Sequence, residues 1–164
     1  VSPLHSLPHI ESSSAAQTID VGHELGKCLQ PGDVIILSGD LGAGKTKLAS
    51  ALAQGLGITE SVTSPTFAIM KQYTAGRIPL NHLDLYRLDA AEQLDDLDFW
   101  DIVAPDAGEV VLIEWGDMFK KVVACADLQV VLQITGTDSR TIELLSLSER
   151  GTELATQVQS RLQQ

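Results

Sequence analysis

The stretch Val34-Ile35-Ile36-Leu37-Ser38-Gly39-Asp40-Leu41-Gly42-Ala43-Gly44-Lys45-Thr46 joins an apolar run to a G-x-x-x-x-G-K-[ST] pattern. A buried strand delivers the chain, and the glycines let the backbone fold back with its N–H groups pointing inward. Together with the N-terminus of the following helix, those N–H groups enclose a polyphosphate. Asp40, Leu41, Gly42, Ala43 and Gly44 form the cradle. Lys45 reaches the β- and γ-phosphates, and the Thr46 hydroxyl is a candidate Mg²⁺ ligand. The helix-forming run Lys47-Leu48-Ala49-Ser50-Ala51-Leu52-Ala53 follows at once, as this loop requires. The motif therefore predicts binding of a nucleoside triphosphate together with Mg²⁺.

The rest of the chain bounds the setting. Its 164 residues suit one domain over residues 1–164, with residues 1–13 as an extended or poorly ordered lead-in. No apolar run is long enough to span a bilayer, and Val1 to Ser14 lacks the basic and apolar regions of a secretory signal. A cytoplasmic location is the default expectation. Cys28 and Cys125 are far apart and form no C-x-x-C, so they read as reduced thiols. The formal net charge of -11 argues against the domain gripping a nucleic-acid backbone alone. Any nucleic-acid biology would need a partner to supply positive charge.

Hydrophobic spacing orders the elements. Ser14 to Leu29 reads as a helix ended by Pro31-Gly32, and Val34 to Ser38 as a strand buried on both faces. Lys45 to Leu56 is a helix closed by Gly57. Phe67 to Tyr73 and Ile78 to Tyr86 read as a hairpin, Ala90 to Trp100 as an acidic helix, and Val110 to Ile113 as a second apolar strand. Leu128 to Thr135 and Thr141 to Leu147 read as another hairpin, followed by a helix over Thr152 to Leu162. The expected fold class is α/β: a three-layer sandwich with a mixed, mostly parallel sheet, helices on both faces and β-hairpins.

Three further segments bear on chemistry. In Val110-Val111-Leu112-Ile113-Glu114 an apolar strand runs into one carboxylate, the pattern of a strand ending beside Mg²⁺. Glu114 is accordingly a candidate metal ligand; a strand-end acid facing solvent is the plainer alternative. His82-Leu83-Asp84-Leu85-Tyr86-Arg87 alternates with a two-residue period, placing His82, Asp84 and Tyr86 on one face. Asp84 is positioned either to orient an attacking water or to hold a Mg²⁺-bound water; a solvated polar face competes with both. Thr66, after Ser64-Pro65, is a candidate γ-phosphate sensor, against ordinary loop chemistry. Trp115 reads equally as core or as a lid over the nucleotide.

These motifs together resemble the TsaE (YjeE) family of bacterial tRNA threonylcarbamoyladenosine biosynthesis proteins. The resemblance rests on Gly39 to Thr46, Ser64-Pro65-Thr66-Phe67, His82 to Leu88 and Ile113-Glu114-Trp115, in that order. It implies a P-loop ATPase with ATP and Mg²⁺ as its cofactors, weak alone, that works with TsaB and TsaD homologues. That assembly transfers a threonylcarbamoyl group to adenosine 37 of tRNAs reading codons that begin with A. The TsaE-like subunit would meet tRNA only through the complex, resetting it by ATP hydrolysis. Carried onto this chain, the resemblance makes Lys45 and the loop glycines phosphate ligands, Thr46 and Glu114 Mg²⁺ ligands, and Asp84 an essential acid near the γ-phosphate. It puts Thr66 in a switch-like segment and Trp115 beside the site. It also makes Thr18 and Arg140 nucleotide-side contacts.

The match has departures. Lys47 stands where a second Thr is common, Gly116-Asp117 where Pro and Glu are frequent, and Leu97-Asp98-Phe99-Trp100 lacks the usual glycine before its aromatic residue. The main alternative function is a small-molecule or nucleoside kinase, which needs several arginines to clamp two phosphorylated substrates. Arg77, Arg87 and Arg140 are scattered in the sequence. A GTPase would usually carry an Asn-Lys-x-Asp motif, which this chain lacks.

Overall fold

The computed structural model describes residues 9–63, 65 and 69–164. Its strands are β1 (Ile10–Ser12), β2 (Val34–Gly39), β3 (Met70–Tyr73), β4 (Leu80–Asp84), β5 (Val110–Glu114), β6 (Leu128–Ile134) and β7 (Arg140–Ser146). The helices are α1 (Ala15–Cys28), α2 (Lys45–Gly55), α3 (Phe99–Ile102), α4 (Lys120–Cys125) and α5 (Glu149–Leu162). The strands form one sheet in the order β1-β7-β6-β2-β5-β4-β3. Its centre, β6-β2-β5-β4, is parallel throughout, and the antiparallel pairings lie toward the edges. The sequence order of β2 and its neighbours creates the topological switch that opens a crevice at the strand ends.

Two apolar layers cover the sheet. On one face α1, α2 and α5 bury Leu25, Leu52, Leu56 and Leu154 against Ile35, Leu37, Leu112 and Leu144. On the other, Ile36, Val111 and Ile113 pack with Leu83, Leu94, Phe99 and Val122. β2 and β5 are buried along nearly their whole length, which explains their unbroken runs of Val, Ile and Leu. No helix among the described residues is long and apolar enough to cross a membrane.

Local chemistry sets the element ends. Ser14 caps α1 by accepting from the Gln17 N–H at 3.2 Å. At the other end Arg77 donates to the carbonyls of Leu29 at 3.1 Å and Gly26 at 3.0 Å, filling acceptors the last turn leaves open. Ser148 caps α5, so that helix starts three residues before the apolar spacing indicated. The acidic segment after Ala90 differs more. Residues Ala91–Leu97 form a tight 3₁₀ stretch, Asp98 turns left-handed at φ 54°, and α3 follows as one turn. Glu92, Asp95 and Asp96 repel at helical spacing, and Asp is among the few residues that enter the left-handed region readily. That backbone conformation accounts for the glycine expected from the family pattern at this point. β1 and α4 had no sequence signal: one is three residues long and the other has only Val122 buried. Of the expected hairpin, β3 begins at Met70; Ser64, Thr66, Phe67 and Ala68 lie outside the described residues, as do residues 1–8.

α1 and α2 approach closely, and this contact positions the phosphate loop from behind. A Cβ on Gly22 would lie 2.7 Å from that of Ala51, and one on Gly26 would strike the Leu52 carbonyl oxygen. Backbone cannot yield as a side chain can. Gly26→Ala is therefore expected to destabilise the fold by about 1–3 kcal/mol despite its better helix propensity. Urea unfolding checks this as a lower midpoint with an unchanged slope.

Candidate functional site

β2 ends at Gly39, whose φ of 151° brings its backbone against the Leu132 carbonyl. The chain then turns through Gly42 (φ 83°) and Gly44 (φ 104°), conformations costly for residues with a Cβ. Space is open around both, so glycine is required there by the backbone path and not by crowding. Gly44 begins α2 with no side-chain cap and no acid in the first turn. Glycine has no side chain to cap the helix with, and the helix dipole favours an anion at this end.

Lys45 is 8% exposed despite its charge. Its ammonium donates to the Gly39 carbonyl at 2.5 Å and sits 4.1 Å from the centroid of the Trp115 ring. The ring face attracts the cation, and the carbonyl holds it at the throat of the loop. Trp115 in turn lies 5.1 Å from Tyr86 and has a left-handed backbone, φ 63°. A tryptophan in that conformation costs about 1–3 kcal/mol, strain of a kind concentrated at functional sites. The sequence left Trp115 undecided between core and lid. It is half-buried and covers Lys45.

The parallel pairing of β4 with β5 sets Asp84 directly beside Glu114, and the pairing of β5 with β2 sets Glu114 beside Leu37. Both carboxylates therefore stand at the strand ends next to the phosphate loop. Glu114 is 2% exposed and bonded to His82, Nε2 to Oε2 at 2.7 Å. Asp84 is half-buried and accepts the Tyr86 N–H at 3.0 Å. Burial pushes the Asp84 carboxyl above the usual carboxylate range. The Tyr86 N–H pulls it back, and the negative charge of Glu114 pushes it up again. A cleft of about 540 Å³ is lined by Leu41, Gly42, Gly44, Lys45, Thr46, Lys47, Asp84, Tyr86, Glu114 and Trp115.

The cleft thus brings together Lys45, Thr46, Asp84, Glu114 and Trp115 from three separate segments. Ala43 and Asp40 shape the loop through the Ala43 N–H bond to the Asp40 carbonyl, 3.0 Å. Thr18 and Arg140 stand on the loop's other side, around a hollow of about 100 Å³. Arg140 donates to the Ala43 carbonyl at 2.8 Å and to three carbonyls of its own hairpin. Thr18 is buried against Ser12, hydroxyl to hydroxyl at 2.7 Å. Thr66 lies outside the described residues. The alternative of a solvated face over His82, Asp84 and Tyr86 is corrected for His82 alone: His82 is fully buried, Asp84 is half-buried and Tyr86 is exposed. Sequence reasoning overlooked His82 as the partner of Glu114, Tyr86 as the ring beside Trp115, and Lys47 at the cleft wall. The two-residue spacing from His82 to Asp84 was the one available signal.

The threonylcarbamoyl adenosine biosynthesis protein TsaE family model matches residues 12–142. A relative named tRNA threonylcarbamoyladenosine biosynthesis protein TsaE from Nostoc sp. is 50% identical over 102 residues, 61% of this chain and 62% of that one. The aligned stretch is thus just under two thirds of the Nostoc protein's length. The Bacillus subtilis protein of the same name is 40% identical over 121 residues, 74% of each chain. The one from Mycobacterium tuberculosis is 34% identical over 142 residues, 82% of each. Among solved structures, Bacillus subtilis YdiB superposes with a TM-score of 0.78 at 30% identity, covering 98% of this chain and 99% of that one. With the phosphate loop, the paired strand-end carboxylates and the family match in agreement, this chain belongs to the TsaE family of threonylcarbamoyl adenosine biosynthesis proteins.

Proposed function

We propose that this chain is a Mg²⁺-dependent ATPase, slow alone and accelerated by partners, in the assembly that places threonylcarbamoyl on adenosine 37 of tRNA. The observation carrying this reading is the convergence of Lys45, Asp84, Glu114 and the uncapped start of α2 on one cleft. The site's donor set suits Mg²⁺ brought in with a triphosphate. Among the described residues no group of three or more His, Cys, Asp or Glu can cage a metal alone. Mg²⁺ in nucleotide sites takes one or two protein oxygens and fills its octahedron with phosphate and water. Thr46 and Glu114 supply those oxygens.

The α2 N–H groups and the loop backbone bind the β- and γ-phosphates, with Lys45 neutralising charge between them. Mg²⁺, which Thr46 and Glu114 would hold, would supply further neutralisation of phosphate charge. Asp84 orients the attacking water and accepts its hydrogen bond, while Thr66 senses the γ-phosphate. Trp115 and Tyr86 shield the throat from bulk water. Thr18 and Arg140 hold the nucleotide side of the loop.

A kinase reading loses ground to the arginines. Arg77 caps α1, Arg150 pairs with Asp33, Arg161 pairs with Glu24, and Arg140 braces the loop backbone. None of these four clamps a second phosphorylated substrate in the cleft. TsaB and TsaD homologues are the proposed partners in the cytoplasm. The net charge of -11 leaves contact with tRNA to them. Threonylcarbamoyl transfer to tRNA should continue through many turnovers only when this chain, ATP and the partners are all present. Equal turnover without it, or fast phosphoryl transfer to a small acceptor, would defeat the proposal.

A further inference from the structure

His82 is a buried polar residue that phosphate chemistry does not use. It sits on β4 two residues before Asp84, opposite Leu112 of β5, which in turn pairs with Ile35 of β2. Those neighbours belong to the apolar layer under α1 and α2. An imidazole at such depth loses its hydration and needs a partner in exchange. Nε2 has one in Glu114 Oε2, at 2.7 Å, whereas Nδ1 has none among the described residues. That pattern assigns the hydrogen to Nε2. A neutral ring then donates to the carboxylate and leaves only a lone pair unmatched. A hydrogen on Nδ1 would bury a donor without an acceptor.

We propose that His82 is a positioning residue for Glu114: its Nε2–H fixes the carboxylate at the end of β5 before a divalent cation arrives with the nucleotide. This rests on the reading of the cleft as a Mg²⁺–nucleotide site. The chain turns sharply after Glu114, Trp115 being left-handed, and the glutamate side chain has three rotatable bonds for the His82 bond to restrict. A carboxylate less restricted in its rotamers has more ordering left to do when metal binds, weakening the metal's share of affinity. Partners of this kind around metal ligands fix ligand orientation in the same way.

The test compares ATP binding by calorimetry in Mg²⁺ and in EDTA for wild type, His82→Leu and His82→Gln, with melting curves of each protein alone. The ratio of the two affinities reads the metal's contribution. His82→Leu is expected to cut that ratio by about tenfold or more, with affinity in EDTA within about twofold of wild type. His82→Gln, whose amide N–H can donate to Oε2, should recover most of it. An unchanged ratio in His82→Leu, or an equal loss in EDTA, would reduce His82 to a core residue. Nitrogen NMR of wild type gives a second check that needs no variant: the Nε2–H tautomer supports the proposal, and the Nδ1–H tautomer overturns it. If wild type bound ATP equally in Mg²⁺ and EDTA, the reading of the cleft as a Mg²⁺ site would fall as well. A wild-type ratio in His82→Leu alone would defeat only the positioning role.

Discussion

Lys45→Ala is expected to weaken ATP binding by about 100-fold or more, equivalent to about 2.7 kcal/mol, while leaving the fold intact. The ammonium is 8% exposed and already held by the Gly39 carbonyl and the Trp115 ring. Its desolvation and ordering are therefore complete before nucleotide arrives, and little is lost when phosphate replaces those weaker partners. Each bond from a cation to phosphate oxygen contributes about 1.5–3 kcal/mol, and an ammonium can make more than one. Removing it from the free protein takes away one neutral acceptor's partner and one ring contact, so the melting temperature alone should change little. The ATP-induced rise in melting temperature should vanish. Lys45→Arg is not a rescue, because a planar guanidinium fork does not fit where a compact ammonium lies between Gly39 and Trp115. Calorimetry and melting curves together decide the point. Normal ATP affinity in Lys45→Ala would remove the loop from phosphate binding, and an unfolded variant would make the lysine structural.

The parts of this site legible in the sequence were those encoded locally. Gly39 to Thr46 announces its own backbone path, because only glycine enters the left-handed region freely at Gly42 and Gly44. β2 and β5 announced themselves as buried strands by lacking any polar alternation. Glu114 and Asp84 were identifiable as strand-end acids, though their adjacency is a matter of register between β4 and β5 that no local pattern encodes. The structure supplies that register, and with it the mutual repulsion that bears on Asp84.

What the sequence could not show depends on long-range packing. Trp115 follows a strand and precedes a glycine, a context equally suited to core or lid. Its location over Lys45 depends on a left-handed turn that tryptophan does not signal. His82 alternates with leucines as an exposed polar residue would, yet it is fully buried, paired with Leu112 of the apolar core. Arg140 sits 97 positions from the Ala43 carbonyl it contacts, in a hairpin whose sequence speaks only of a turn. The acidic stretch after Ala90 carried enough leucine spacing to suggest one helix, but charge repulsion and Asp98 divide it.

Asp84→Asn is expected to separate stability from turnover, because the acid is held where its charge is unwelcome in the free protein. Burial and the nearby Glu114 raise the carboxyl above its ordinary value, outweighing the Tyr86 N–H that lowers it. The folded state then binds the proton more tightly than the unfolded chain does. The stability linked to this group is complete below the unfolded value of about 3.9, and is lost as pH rises through the higher folded value. Asparagine removes that pH-dependent cost, and its side-chain oxygen can still accept from Tyr86. In EDTA without nucleotide, Asp84→Asn should melt higher than wild type at pH 7. The difference should narrow as pH falls through the raised folded value and close below about 3.9, where the carboxyl is protonated in both states. Binding of Mg²⁺-ATP should persist, since one negative charge has been taken from the neighbourhood of the γ-phosphate. Turnover should fall by about 100-fold or more, the range for a positioned acid or base acting on the attacking water. An Asp84→Asn protein that fails to bind Mg²⁺-ATP would move Asp84 from the water to the metal. One that hydrolyses ATP at the wild-type rate would remove it from the chemistry altogether.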